Sequence, residues 1–169
     1  FRNDIYSGYK ANRGEPPEDL KPQFKIIKES VKAFGIPSIE LAGFEADDII
    51  ATYAKQAAKK NWKVSIVSSD KDLMQVVTDD INLVDTMKNK SIGVKDVIEK
   101  FGVKPNRVID VQALAGDSSD NVPGAPGIGL KTAALLINEY DNLENVLNSA
   151  EKIKQNKRRE SLINHKDLI

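Results

Sequence analysis

The chain has 169 residues, 40% of them hydrophobic and 30% charged, and its 25 basic and 25 acidic side chains cancel. That is enough chain for one compact domain with a real core, and the composition is ordinary for a soluble globular protein. The absence of cysteine excludes disulfides, thiolate metal sites and cysteine nucleophiles and suits a reducing compartment; no run reaches the length of a membrane span and no secretory signal opens the chain.

A zero average leaves nucleic-acid binding to be decided by how the charge is distributed. The last nineteen residues hold six basic side chains (Lys152, Lys154, Lys157, Arg158, Arg159, Lys166) against three acids. The chain opens on Phe1 at what reads as the start of a helix, so a piece of a longer protein, or its ordered part, is expected.

In chain order, Phe1 to Arg13 reads as a helix ending near Gly14. Glu15-Pro16-Pro17-Glu18-Asp19 breaks it and suits the start of a second helix. That helix carries Leu20, Phe24, Ile27, Val31 and Phe34 at spacings of three and four and stops at Gly35. Ile36 to Leu41 reads as extended. A further helix begins near Glu45 and runs to about Lys60. Val64 to Ser69 is a β-branched, apolar strand. A short helix follows through Leu73 to Val77, and Ile81 to Val84 is a second strand. Helices are predicted over Val94 to Phe101 and Pro105 to Ala115. Strands alternating with helices indicate an α/β domain with a mostly parallel sheet flanked by helices. With no strand predicted from about Val94 onward, the second half reads as a helical appendage.

Three acid clusters stand out. Glu45, Asp47 and Asp48 fall at a helix N-terminus, where the backbone dipole offsets part of their charge. Asp70 and Asp72 lie just past the carboxyl end of a strand, the end at which open α/β sheets bind ligands. Asp117 and Asp120 are spaced to share one side of a helical turn. Carboxylates without histidine or cysteine favour hard cations, Mg²⁺ or Mn²⁺, and their number suits two ions or additional outer-sphere roles. Two such ions, typically roughly 3.5–4 Å apart, activate water and stabilise the leaving oxygen of a phosphodiester. A single acidic cap is more often structural, which is the reading for Asp79, Asp80 and Asp85.

Val122 to Ala133 is a proline–glycine loop running into an apolar helix. It is no P-loop, because Leu130 separates Gly129 from Lys131, and no dinucleotide fingerprint, because a third glycine and a preceding strand are missing. A helix–loop–helix that holds one backbone phosphate, through Gly124, Gly127, Ile128, Gly129, Lys131 and Thr132, is the favoured reading over a plain turn.

Together, Phe1-Arg2, Tyr9-Lys10 with Arg13, Glu45-Ala46-Asp47-Asp48, Asp70-Lys71-Asp72, Gly116-Asp117-Ser118-Ser119-Asp120-Asn121 and Pro126 to Ala133 resemble the 5′-nuclease domain of bacterial DNA polymerase I, within the flap endonuclease superfamily. The motifs occur in the family's order and span most of the chain. The resemblance implies a PIN-like α/β nuclease core over 1–93, with a helical arch at 1–19 and the core's N-terminal part missing. It implies a helical DNA-binding region over 94–169, with a helix–three-turn–helix at about 105–140.

The same resemblance implies a Mg²⁺-dependent enzyme that removes 5′ flaps and RNA primers in replication and repair. Glu45, Asp47, Asp48, Asp70, Asp72, Asp117 and Asp120 match the metal-site acids. Lys10 and Arg13 match catalytic basic residues beside the scissile phosphate, where a cation stabilises the transition state. The glycine loop matches the duplex-gripping element, with a potassium ion. Tyr6 and Tyr9 either stack on bases or pack. A monomeric, cytoplasmic, nucleoid-associated bacterial protein fused to a polymerase is implied. Two further metal-site aspartates of the family lie upstream of the position matching Phe1, so a branched-DNA-binding fragment that does not cleave is the alternative, and an RNA-cutting nuclease is a third reading.

Overall fold

The computed structural model describes residues 1–169. Its sheet is built from β1 (Val64–Val67), β2 (Ile81–Asp85) and β3 (Lys90–Ile92), in that order. β1 and β2 run parallel, with Val64 opposite Ile81 and Val67 opposite Val84. β3 returns antiparallel along β2, with Leu83 opposite Ile92. The sheet is therefore mixed. The third strand is too short, and too polar in Lys90 and Ser91, to carry a period-2 signal in the sequence. Asp85 is buried and builds the turn between β2 and β3: its Oδ1 accepts from the backbone N–H groups of Met87 and Lys88, each at 3.1 Å.

The first half carries α1 (Arg2–Ile5), α2 (Gln23–Ala33) and α3 (Ala46–Ala58). The stretch read as one helix from Phe1 to Arg13, part of the arch assigned to 1–19, is helical only over α1. Beyond it the chain turns, with Lys10 at φ 56°. Tertiary bonds dictate that turn: Lys10 N–H donates to the Asp120 carbonyl at 2.8 Å, and Asn121 Nδ2 donates to the Gly8 carbonyl at 2.7 Å. α2 begins later than its proline breaker suggested, at Gln23. Its periodic apolar positions are not buried, and Phe34 is 82% exposed.

The second half carries five helices and no strand of the sheet: α4 (Val94–Phe101), α5 (Val108–Ala115), α6 (Leu130–Tyr140), α7 (Leu143–Asn148) and α8 (Asn156–Asn164). One continuous core joins the halves. Ile66, Ile81 and Leu83 of the sheet pack with Leu73, Met74 and Val76, and the cluster extends through Val97, Val111, Leu114, Ile137, Val146 and Leu162. Burial of each such side chain contributes about 1.5–3 kcal/mol. Ala54 is the first buried residue in the chain, so the core begins in α3. No helix is long and apolar enough to cross a membrane.

Candidate active site

Three chain segments meet at one rim, each held by a local device. At the start of α3, Glu45 is the N-cap: its N–H donates to Asp48 Oδ2 at 3.0 Å, and Asp48 N–H donates to the Glu45 backbone carbonyl at 3.1 Å. Past β1, Ser68 Oγ accepts from Asp70 N–H at 3.0 Å, and Asp70 Oδ1 accepts from Asp72 N–H at 2.9 Å. Leu73, Met74 and Val76 then sink into the core and fix that turn. Past α5, Asp117 and Val122 exchange backbone bonds at 2.9 and 2.8 Å, closing the loop that carries Asp120.

All seven candidate acids, Glu45, Asp47, Asp48, Asp70, Asp72, Asp117 and Asp120, line one cleft of about 970 Å³. Lys10 and Arg13 line it too, with Arg2, Tyr9 and Gln112. The acids divide into two sets.

Four are paired with cations. Arg2 forks onto Asp48, with Nη1–Oδ2 at 2.8 Å and Nη2–Oδ1 at 2.7 Å. Lys10 Nζ donates to both oxygens of Glu45 at 2.8 Å, and Tyr9 Oη donates to Glu45 Oε2 at 3.1 Å. Arg13 pairs with Asp120. Lys71 reaches Asp117 Oδ2 at 2.7 Å. The fork and the capping bond hold the Asp48 carboxyl down at about 2. At Glu45 burial pushes the carboxyl up, but the Lys10 and Tyr9 bonds outweigh it and the net direction is down. Asp117 behaves the same way, with burial outweighed by Lys71 and by the N–H of Ser119.

Asp47, Asp70 and Asp72 have no cation within ion-pair reach. Burial pushes Asp47 up, and the charges of Asp70 and Glu45 add to it. Burial likewise pushes Asp72 up, against the bond that Gln112 Nε2 donates to its Oδ1 at 2.6 Å. Uncompensated carboxylates facing one another are the condition that a bound hard cation relieves, so the donor chemistry fits Mg²⁺ or Mn²⁺. No three acidic side chains converge as ligands of a single ion, because four of the seven turn towards their basic partners.

None of Gly124, Gly127, Ile128, Gly129, Lys131 or Thr132 lines the cleft. Gly124 is packing: a Cβ there would strike the backbone of Ala115 and Gly116. Ile128 is buried, and Ala125 N–H donates to the Leu114 carbonyl at 2.8 Å. Gly127, at φ 79°, and Gly129, the N-cap of α6, face open space, and Lys131 is exposed without an ion-pair partner.

Arg2, Lys71 and Gln112 were not singled out from the sequence as site residues. Arg2 and Lys71 lie inside recognised motifs, but nothing local names their partners. Gln112 had only a weak signal, as one of two polar side chains, with Asp110, among the apolar positions Val108, Val111 and Leu114 of α5.

The mixed sheet with an acid-lined cleft at its strand ends, joined to a helical half, corresponds to a resolvase-like domain followed by a helical SAM-fold domain. The model for the 5′-3′ exonuclease N-terminal resolvase-like domain matches residues 1–102, and that for the 5′-3′ exonuclease C-terminal SAM fold matches 103–169. The chain belongs to the 5′-3′ exonuclease family.

It is 58% identical over 168 residues to a DNA polymerase I of Rhizobium leguminosarum, covering 99% of this chain and 16% of that protein. It is 44% identical over 154 residues to a 5′-3′ exonuclease of Aquifex aeolicus, covering 91% of this chain and 53% of that protein. The chain thus spans about half, or much less, of the curated relatives it matches. A crystal structure of a T5 protein co-crystallised with metal ions superposes with a TM-score of 0.87 at 25% identity, covering 99% of this chain and 67% of that one. The catalytic core of Rad2 in complex with DNA substrate shares the fold, with a TM-score of 0.56 at 21% identity over 92% of this chain and 52% of that one.

Proposed function

We propose that the protein is a structure-specific 5′ nuclease that hydrolyses a phosphodiester at a 5′ flap or RNA primer on duplex DNA. The observation that carries this reading is the cleft in which seven carboxylates gather, three of them uncompensated, beside Lys10 and Arg13. Asp47, Asp70 and Asp72 would hold divalent cations, Mg²⁺ or Mn²⁺, with Glu45, Asp48, Asp117 and Asp120 completing the set. A pair of such ions supplies an activated water and charge neutralisation at the leaving oxygen. Lys10 and Arg13, released from Glu45 and Asp120, would bind and polarise the scissile phosphoryl group. The 1–93 segment would carry the chemistry. The 94–169 segment would grip duplex, the Gly127–Gly129 edge and Lys131 holding a backbone phosphate, with a potassium ion at that loop. Relatives named DNA polymerase I support fusion to a polymerase.

The test is cleavage of a 5′-flap duplex with Mg²⁺ and with chelator. Product that requires Mg²⁺ and is lost, by on the order of a hundredfold or more, in Asp117→Ala supports the reading. Undiminished turnover in that variant removes Asp117 from the mechanism. A second reading is favoured by the four cation-paired acids: a protein that binds branched DNA without cutting it. It predicts salt-sensitive flap binding and no Mg²⁺-dependent product.

A further inference from the structure

Of the basic side chains that pair with acids of the cleft, Lys71 stands apart. Arg2, Lys10 and Arg13 line the cleft themselves, where an incoming phosphate can draw them from their partners. Lys71 does not line it. It sits on the turn between Asp70 and Asp72 and reaches Asp117 Oδ2 at 2.7 Å from behind the cleft wall. That turn is held from below: the Lys71 carbonyl accepts from Met74 N–H at 3.0 Å, and Leu73, Met74 and Val76 are buried.

Asp117 is held as firmly. Its backbone exchanges bonds with Val122, its side chain is 10% exposed, and its Oδ1 accepts from Ser119 N–H at 2.9 Å. One donor on each oxygen leaves lone pairs on both, because an ionised carboxylate offers about four acceptor positions. Asp117 lines the cleft, so it can meet a cation there while Lys71 stays bound behind it. Burial pushes the Lys71 ammonium down, but the bond to Asp117 and the charges of Asp117, Asp72 and Asp120 outweigh it, and the net direction is up. Lys71 is therefore a standing positive charge in the field of the acids that would hold a divalent cation.

We propose that Lys71 is a positioning residue for Asp117: a fixed counter-charge, outside the cleft, that holds the Asp117 carboxylate at the rim and weakens the cleft's grip on a divalent cation. The inference rests on the nuclease reading above. Lys10 and Arg13 leave their acids for the substrate in that reading, whereas Lys71 remains on Asp117 when the cleft fills. Without its charge, Asp117 would join Asp47, Asp70 and Asp72 as a further uncompensated carboxylate, and a bound cation would lose a like charge beside it.

The test is Mn²⁺ binding to the whole chain without DNA, read from the electron paramagnetic resonance of the free ion, with K71M, K71Q, K71R and K63Q alongside. K71M and K71Q both remove the charge. K71Q keeps a donor for Asp117, so it reads the charge alone even where the methionine variant unfolds. Each should raise the Mn²⁺ affinity by about tenfold, as removal of one like charge near a divalent ion requires in a partly solvated site. K71R should bind as the wild type does. Lys63 pairs with Asp80 outside the cleft, so K63Q controls for bulk charge and should also match the wild type. A lysine that merely tethers the two segments would give weaker Mn²⁺ binding in K71M and K71Q, because Asp117 would lose its support. That result, an unchanged affinity, or an equal rise in K71R or K63Q overturns the proposal and leaves the nuclease reading standing. A wild-type protein that binds no Mn²⁺ overturns both.

Discussion

Arg2 and Asp48, 46 residues apart, meet in a bidentate fork at the mouth of the cleft, each side chain about a third exposed or less. Arg2 stays charged at every accessible pH, so Asp48 sets the pH window of the pair. Its carboxyl is depressed from 3.8 to about 2 by the Arg2 bond and then by the Glu45 N–H. A depressed acid stabilises the fold fully above its unfolded value, and that stability fades as pH falls through 3.8 towards 2. At about 1.4 kcal/mol per unit, reduced for solvent screening, the pair is worth about 1 kcal/mol. Arg2→Gln should lower stability by that amount at pH 7, and the gap from wild type should close near pH 2. Urea unfolding from pH 7 to pH 2 measures it, and a gap that persists at pH 2 refutes the assignment.

Gly124 tests whether the proline–glycine loop is built for packing as well as for binding. A Cβ at Gly124 would collide with backbone, which no side-chain rotation relieves, so Gly124→Ala should cost about 3 kcal/mol. Gly127 has open space around it but sits at φ 79°, so Gly127→Ala should cost only about 1 kcal/mol. Thermal unfolding of both variants ranks them. A Gly124→Ala protein as stable as wild type would contradict the close backbone approach between Gly124 and Gly116.

These positions show how much of the molecule was legible in its sequence. The cap at Glu45, the strands at Val64 and Ile81 and the acid clusters are local signals, and the structure has each where its pattern lies. What failed needed partners distant in the chain. The turn after Ile5 is imposed by the Asp120 carbonyl, β3 is fixed by its register on β2, and the exposed face of α2 finds nothing in these residues to cover it. Within the candidate site, the gathering of seven acids was foreseen. Their division into paired and unpaired sets was not, because Arg2, Lys71 and Gln112 find their acids only through the fold.

Asp47 illustrates the unpaired set. Burial first, and then the charges of Asp70 and Glu45, make its ionised form less favourable in the folded chain than in the unfolded one. Replacement by a neutral isostere removes that cost, so Asp47→Asn should raise the unfolding midpoint of the metal-free protein. Mg²⁺ at about a hundred times its dissociation constant should stabilise the wild type by about 2.7 kcal/mol. The variant should lose most of that gain. Calorimetry with and without Mg²⁺ reads both effects, and a variant less stable than wild type in chelator would argue against an uncompensated charge at Asp47.

Gln112 tests the site from beneath. Its amide donates to Asp72 Oδ1 at 2.6 Å, and this bond opposes the burial that raises the Asp72 carboxyl. Gln112→Met keeps the volume and removes the donor. The Asp72 carboxyl should then rise further, so a higher pH is needed to ionise it. The acidic limb of the pH–rate profile for flap cleavage should move upward, and Mg²⁺ should bind more weakly at the low end of the range. Loss of one bond to a half-buried charged group should also cost about 1–2 kcal/mol of stability. The two readouts separate the roles of Gln112. A lowered midpoint with an unmoved acidic limb makes the amide a packing element, whereas a displaced limb makes it a positioning residue that tunes Asp72.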